Sequence, residues 1–154
     1  MKILMVCLGN ICRSPMAEGI LQNKIDNQHL NIIVESKGTA AFHLGEAPDS
    51  RAILTLRKHG IDISKHKGSQ FQVSDFDAYD LILAMDKSNF THLVSMSRNL
   101  HDKQKVLLIM DESRPGLNQT VPDPYYGSID DFEQTYTLLN EAIEHLVERL
   151  KKQA

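Results

Sequence analysis

Ile3-Leu4-Met5-Val6-Cys7-Leu8-Gly9-Asn10-Ile11-Cys12-Arg13-Ser14-Pro15-Met16 is the stretch on which the fold turns. Its apolar run, Ile3 to Leu8, stops at Gly9-Asn10, and Ser14-Pro15 then opens a segment with apolar residues at Met16, Ile20, Leu21 and Ile25. The run reads as a buried strand, the pair as a tight turn, and the segment that follows as a helix. Pro15 suits the first helical position, where a missing N–H costs nothing, and Ser14 is placed to cap the helix from just before it.

The same alternation continues down the chain. A second strand fits Ile32 to Glu35, followed by a long loop from Lys37 to Pro48 and a helix over Asp49 to His59 that Gly60 stops. After a polar stretch, Asp80 to Met85 reads as a third strand, followed by the helix-opening cluster Asp86-Lys87-Ser88-Asn89, and Val106 to Met110 reads as a fourth. The connection from Asp111 to Ser128, with Pro115, Gly116, Pro122, Pro124 and Gly127, is long enough to be functional. From Ser128 onward, Ile129, Phe132, Tyr136, Leu139, Ile143, Leu146 and Leu150 form the stripe of an amphipathic helix packing on the sheet. Strands alternating with helices predict a parallel sheet wrapped on both faces, its first strand central and its ligands at the strands' carboxyl ends.

The whole is 154 residues, 42% hydrophobic and 24% charged, which suits one domain over 1–154 with a sizeable core. A formal net charge of −3 offers no bulk attraction to nucleic acid or to an anionic membrane, so an anionic partner must be met by a local site. No apolar run is long enough for a signal-peptide core or a membrane span, and two cysteines are too few to staple the domain. These features predict a cytoplasmic protein whose cysteines react or bind metal rather than pair for stability.

The loop between the first strand and the first helix carries the chemistry. Cys7 and Arg13 flank five residues there, and a short loop curled into a helix N-terminus aims backbone N–H groups at one point, forming an oxyanion site from Leu8, Gly9, Asn10, Ile11, Cys12, Arg13 and Ser14. The helix end and a guanidinium both favour the anionic form of a cysteine at that rim, which makes Cys7 the expected nucleophile. Arg13 supplies a planar donor fork for two phosphate oxygens. A Walker loop is excluded, since Gly-Lys followed by Ser or Thr is missing. Asn10 reads as a left-handed turn residue that also orients the loop through its amide. Cys12 is either a bystander or the partner of a reversible disulfide with Cys7.

The segment CLGNICRSPMAE resembles the signature of the low-molecular-weight protein tyrosine phosphatases. Glu35-Ser36-Lys37-Gly38-Thr39, Ala84 to Asn89 and Val121 to Gly127 stand in that family's order and at its approximate separations, so the likeness covers nearly the whole chain. It implies a flavodoxin-like, three-layer α/β fold with four central parallel strands. It also implies hydrolysis of phosphotyrosine and other aryl phosphates through a cysteinyl-phosphate intermediate, without metal or other cofactor.

By itself Asp123 reads as a turn residue before Pro124; the resemblance makes it the general acid that protonates the leaving phenol. Tyr125 and Tyr126, faced by Phe42, would wall an aryl slot. Phe42 stands where the family often has tryptophan. Ser36 and Ser14 match residues that support the phosphate loop. His66 lies in a stretch that departs from the family's arginine-containing version and reads as a surface histidine. His29, His43, His59, His92, His101 and His145 show no pairing at ligand spacing, so no zinc is expected.

Three rivals share the loop. Arsenate reductase needs relay thiols outside it, and the chain has only two cysteines, Cys7 and Cys12. A protein-arginine phosphatase is nearer, but Ile11 and the Tyr125-Tyr126 pair look more like tyrosine-directed members. A noncatalytic phosphate-binding or phosphocarrier module would have no use for Asp123 or for the grip of Arg13. The resemblance thus implies tyrosine-phosphorylated proteins as substrates, inorganic phosphate as product, a monomer, and, from the Met-Ala-Glu after the loop, a bacterial member.

Overall fold

The first strand, β1 (Lys2–Cys7), sits inside a sheet because its side chains have an apolar layer to meet on either side. Ile3, Met5 and Cys7 enter one buried cluster, and Leu4 and Val6 enter another, all between 0 and 3% exposed. A strand buried on both faces belongs to a parallel sheet covered by helices. The computed structural model, which describes residues 1–153, bears this out. Its four parallel strands, β1, β2 (Ile33–Gly38), β3 (Leu81–Ala84) and β4 (Val106–Leu108), lie in the order β2-β1-β3-β4. That order is the doubly wound, flavodoxin-type arrangement.

On one face lie α1 (Arg13–Gln28), α2 (Ser50–Lys58) and α6 (Ile129–Gln153). They contribute Met16, Ile20 and Leu21, then Ala52 and Leu56, then Phe132, Leu139, Ile143 and Leu146 to the larger cluster. The amphipathic stripe predicted for α6 is therefore its buried face, although Ile129 at its first turn stays half-exposed. On the opposite face Phe76 of α3 (Asp75–Ala78) and Leu93 of α4 (Lys87–Met96) pack with Phe71 and Tyr79. The short helix α5 (Leu100–Gln104) leads into β4. No helix among the described residues is long and apolar enough to cross a membrane.

Several boundaries differ from the sequence reading. Ser14 does not cap α1: the helix starts at Arg13, Cys12 holds the cap position without a side-chain hydrogen bond, and the Ser14 hydroxyl is engaged elsewhere. Pro15 is the third helical residue rather than the first, still within the opening turn, where a missing N–H has no intrahelical partner to lose. β2 runs on through Ser36, Lys37 and Gly38, since its pairing with β1 continues as far as Cys7 opposite Gly38. β4 is shorter than expected and closes in a 3-10 turn, Ile109–Glu112. The polar stretch before β3 contains α3, too short to leave a periodic signal.

β2 also brings the loop after β1 under constraint. Ala40 donates its N–H to the Leu8 carbonyl at 3.0 Å and Thr39 donates to that of Cys7 at 2.9 Å. Gly38 lies beneath, so close that a Cβ there would stand 2.7 Å from the Leu8 oxygen and 3.2 Å from the Asn10 Cβ. The nearer contact is with backbone, which cannot swing aside. Gly38→Ala is expected to lower stability by about 1–3 kcal/mol in urea unfolding. Because the displaced group is the loop itself, it is also expected to weaken inorganic phosphate binding, read by NMR titration; unchanged phosphate affinity would contradict this view of Gly38.

Candidate active site

Asn10 organises the loop. It is fully buried, with φ of 58°, the left-handed conformation expected of a turn asparagine. The backbone N–H of Ser69 donates to its Oδ1 at 3.0 Å, which fixes which end of the amide is oxygen. His66 Nε2 lies 3.0 Å from the same oxygen and must therefore carry the proton. The Asn10 Nδ2 group donates to Ser14 Oγ at 2.8 Å and to Ser36 Oγ at 3.0 Å. Both donors and both acceptor positions of the amide are thus filled from three other segments.

The chain of donors ends on sulfur. Ser14 Oγ accepts from Asn10 and lies 3.0 Å from Cys7 Sγ, so its hydroxyl proton is free to point at the sulfur. The Asn10 backbone N–H donates to the same Sγ at 3.3 Å. Ser36 reaches the network from β2. His66 corrects the sequence reading: its side chain is nine-tenths buried rather than on the surface, with Nδ1 3.7 Å from Glu18 Oε1. The usable signal is the need of a buried asparagine for four partners, together with Ile61 and Ile63, whose burial anchors this loop against the side of α1 at Gly19.

Arg13 fills the other side. Its side chain is 4% exposed, and its Nη1 donates to Asp86 Oδ2 at 2.7 Å and to the Val121 carbonyl at 3.0 Å, while Nη2 lies 3.6 Å from Asp123 Oδ2. Burial pulls the guanidinium pKa down, but Cys7, the Asp86 hydrogen bond and Asp123 outweigh it and raise it above the ordinary arginine value. Arg13 stays charged. Asp86, which the sequence places only in a helix-opening cluster, does cap α4, accepting from the Asn89 N–H at 2.7 Å with its other oxygen.

The pocket above Cys7 is lined by Leu8, Gly9, Ile11, Cys12, Arg13, Phe42, His43, Asp123, Tyr125 and Tyr126. Its volume of about 220 Å³ lies below the roughly 300–1,000 Å³ of most small-molecule sites, which suits one side chain more than a large ligand. Tyr125 and Tyr126 meet edge to face at 4.9 Å between ring centroids, and Phe42 is 74% exposed at the mouth. His43, over Gly9 with Nδ1 against Glu46, joins the pocket wall without any local signal in its own stretch of chain. Cys7 and Cys12 are free thiols. Burial, reinforced by Asp49, Cys7 and Asp123, pushes the Cys12 thiol up, so it presents a neutral group. Such a pocket, with a thiol at its floor, a fixed cation beside it and a carboxylate on its wall, can hold a tetrahedral oxyanion and exchange a proton with it.

The amide network has a measurable weight. Asn10→Ala strands the Ser14, Ser36, His66 and Ser69 groups and places alanine at positive φ, so it is expected to cost about 2–4 kcal/mol in urea unfolding. His66→Ala leaves Asn10 Oδ1 its Ser69 donor and is expected to cost about 1 kcal/mol. Equal losses would show that the network is not centred on Asn10.

Known proteins resemble the chain over nearly its whole length. Residues 2–154 match the family model for low molecular weight phosphotyrosine protein phosphatases. The low molecular weight phosphotyrosine protein phosphatase of Schizosaccharomyces pombe is 40% identical over 141 residues, 90% of this chain and 89% of that protein. Among solved structures, a protein tyrosine phosphatase from Entamoeba histolytica with Hepes in its active site superposes with a TM-score of 0.93 at 36% identity, covering 99% of this chain and 98% of that one. The arginine phosphatase YwlE, in a mutant with a phosphorylated active-site serine, superposes with a TM-score of 0.90 at 32% identity, covering 99% and 97%. On its sequence and its fold, the chain belongs to the low molecular weight phosphotyrosine protein phosphatase family.

Proposed function

We propose that the chain hydrolyses phosphotyrosine in proteins, and other aryl phosphate monoesters, with Cys7 as nucleophile, Arg13 as phosphate clamp and Asp123 as acid and base. The observation that carries this reading is the convergence of the Cys7 sulfur, the Arg13 guanidinium and the Asp123 carboxyl on one pocket. In the first step the Cys7 thiolate attacks phosphorus, the S–P bond forms as the P–O bond to the phenol breaks, and the Asp123 carboxyl gives its proton to the departing oxygen. A phenol has a pKa near 10, so unassisted departure is slow at neutral pH. Arg13 and the loop N–H groups hold the three equatorial oxygens as charge shifts among them. In the second step Asp123, now a carboxylate, takes a proton from water as it attacks phosphorus, and the S–P bond breaks to release inorganic phosphate.

Supporting groups act on this chemistry through Cys7. The Ser14 hydroxyl and the Asn10 N–H reach the sulfur, and Ser36 and His66 hold the amide that places them. Tyr125, Tyr126 and Phe42 favour an aryl group at the mouth, and this distinguishes the reading from a protein-arginine phosphatase, which the likeness to YwlE keeps as the second one. Residues 1–154 act in this reading as one domain and as a monomer in the cytoplasm, without metal, nucleic acid or membrane.

Hydrolysis of p-nitrophenyl phosphate in the presence of a chelator, and of phosphotyrosine, phosphoserine and phosphoarginine peptides, tests it. Wild type is expected to turn over the aryl esters with vanadate as competitor, Cys7→Ser to lose turnover, and Asp123→Asn to lose about 10²–10⁴-fold on phosphotyrosine. Activity confined to phosphoarginine would overturn the substrate. Labelling of Cys7 without turnover, or inactivity on every ester, would overturn catalysis in favour of a phosphate carrier or binding module.

A further inference from the structure

Asp123 is 43% exposed, and its loop contributes no strand or helix, yet a general acid works only if its carboxyl is held in place. Upstream the loop is anchored where Val121 donates its N–H to the Met85 carbonyl at 2.9 Å and accepts from Arg13. Downstream, Asp123 to Gly127 forms a turn. Asp123 Oδ1 accepts from the Tyr125 N–H at 3.1 Å, and Gly127 donates to the Pro124 carbonyl at 2.9 Å. These bonds shape the turn but tie it to nothing else.

Arg13 approaches the Asp123 carboxyl at 3.6 Å, and a second arginine holds the backbone of the turn. Arg51, in the first turn of α2, donates through Nη2 to the Tyr125 carbonyl at 2.8 Å and through Nη1 to the Gly127 carbonyl at 2.9 Å. The same guanidinium grips Asp49 through Nε at 3.0 Å and Nη2 at 2.9 Å, and it lies over the fully buried Phe132 ring, 4.6 Å from its centroid. Asp49 in turn donates its backbone N–H to the Ile11 carbonyl at 2.8 Å, in the phosphate loop. Arg51 also holds the Asp49 carboxyl below the usual carboxylate range, chiefly through its side-chain hydrogen bond, so both partners are charged at neutral pH.

We infer that Arg51 is a positioning residue that, through Asp49, ties the turn carrying Asp123 to the phosphate loop carrying Cys7. Arg13 then meets the acid itself in the pocket, while Arg51, outside the pocket lining, holds the turn that carries it. The inference rests on Asp123 being the general acid. Lysine cannot replace Arg51, because an ammonium lacks the planar fork that reaches two carbonyls and a carboxylate at once.

The test measures kcat/KM for wild type, Arg51→Lys, Arg51→Gln, Asp123→Asn and the Arg51→Gln/Asp123→Asn double variant. Its substrates are aryl phosphates graded from phenyl to 2,4-dinitrophenyl, since only poor leaving groups need the acid. Inorganic phosphate inhibition and urea unfolding are followed alongside. The Arg51 variants are expected to lose up to about 100-fold on phenyl phosphate and little on the dinitrophenyl ester, with phosphate inhibition retained. The double variant is expected to be no slower than Asp123→Asn alone. An equal loss on every ester, or additive losses in the double variant, would overturn the inference by making Arg51 a general structural residue. If Asp123→Asn steepens the leaving-group dependence and the Arg51 variants do not, the inference alone falls. If Asp123→Asn does not steepen it, the acid assignment falls first and the inference with it.

Discussion

A single buried amide governs the geometry of the pocket. Asn10 sits where the chain must reverse from strand to helix, and positive φ is a conformation asparagine tolerates better than most residues. Buried away from solvent, its amide would cost several kcal/mol if left unpaired. Because Ser69, His66, Ser36 and Ser14 each take one of its hydrogen bonds, the loop has one orientation that satisfies it. The Ser14 hydroxyl and the Asn10 N–H then reach Cys7 as by-products of that arrangement. Function and stability are joined at this residue: the network that prevents an orphaned amide also surrounds the sulfur with donors.

Charge in the pocket follows the same rule of mutual satisfaction. A guanidinium as buried as Arg13 would be costly without compensation, and Asp86, the Val121 carbonyl and Asp123 provide it. Its Nη1 is committed to Asp86 and Val121, while Nη2 makes the longer Asp123 contact, which leaves it the freer donor for the clamp proposed for this residue. Asp86 serves both as helix cap and as counter-ion, so α4 is oriented by the same carboxylate that fixes the arginine. Cys12 shows the opposite treatment. Burial, reinforced by Asp49, Cys7 and Asp123, pushes its thiol up and keeps it neutral.

The sheet is legible in the sequence because its signals are local. β1 is an unbroken apolar run, Asp49 and Gly60 bracket α2, and the stripe of α6 spans many turns. Cys7, Arg13 and the loop between them are also local, so the expectation of an oxyanion site follows from their placement between a strand and a helix. The start of α1 is not legible in the same way, because a serine beside a proline has two uses. Whether Ser14 caps the helix or serves the loop depends on Asn10 and Cys7 being near it in space. His66 looks like a surface residue for a similar reason: its neighbour Asn10 is 56 positions away, and nothing in its own stretch reports that neighbour.

What the sequence determined by itself is therefore the alternating α/β framework, the loop with its cysteine and arginine, and the edge of the sheet on which that loop lies. Periodicity and turn chemistry act over a few residues, and the carboxyl ends of parallel strands all point one way. Tertiary structure alone decided the rest: that Asp86 answers Arg13, that His66 completes the Asn10 amide, and that Arg51 reaches the carbonyls of Tyr125 and Gly127. Those partners lie between 56 and 76 positions apart along the chain. Hydrogen bonds of a few ångströms between such distant positions exist only after the sheet has brought its loops to one edge.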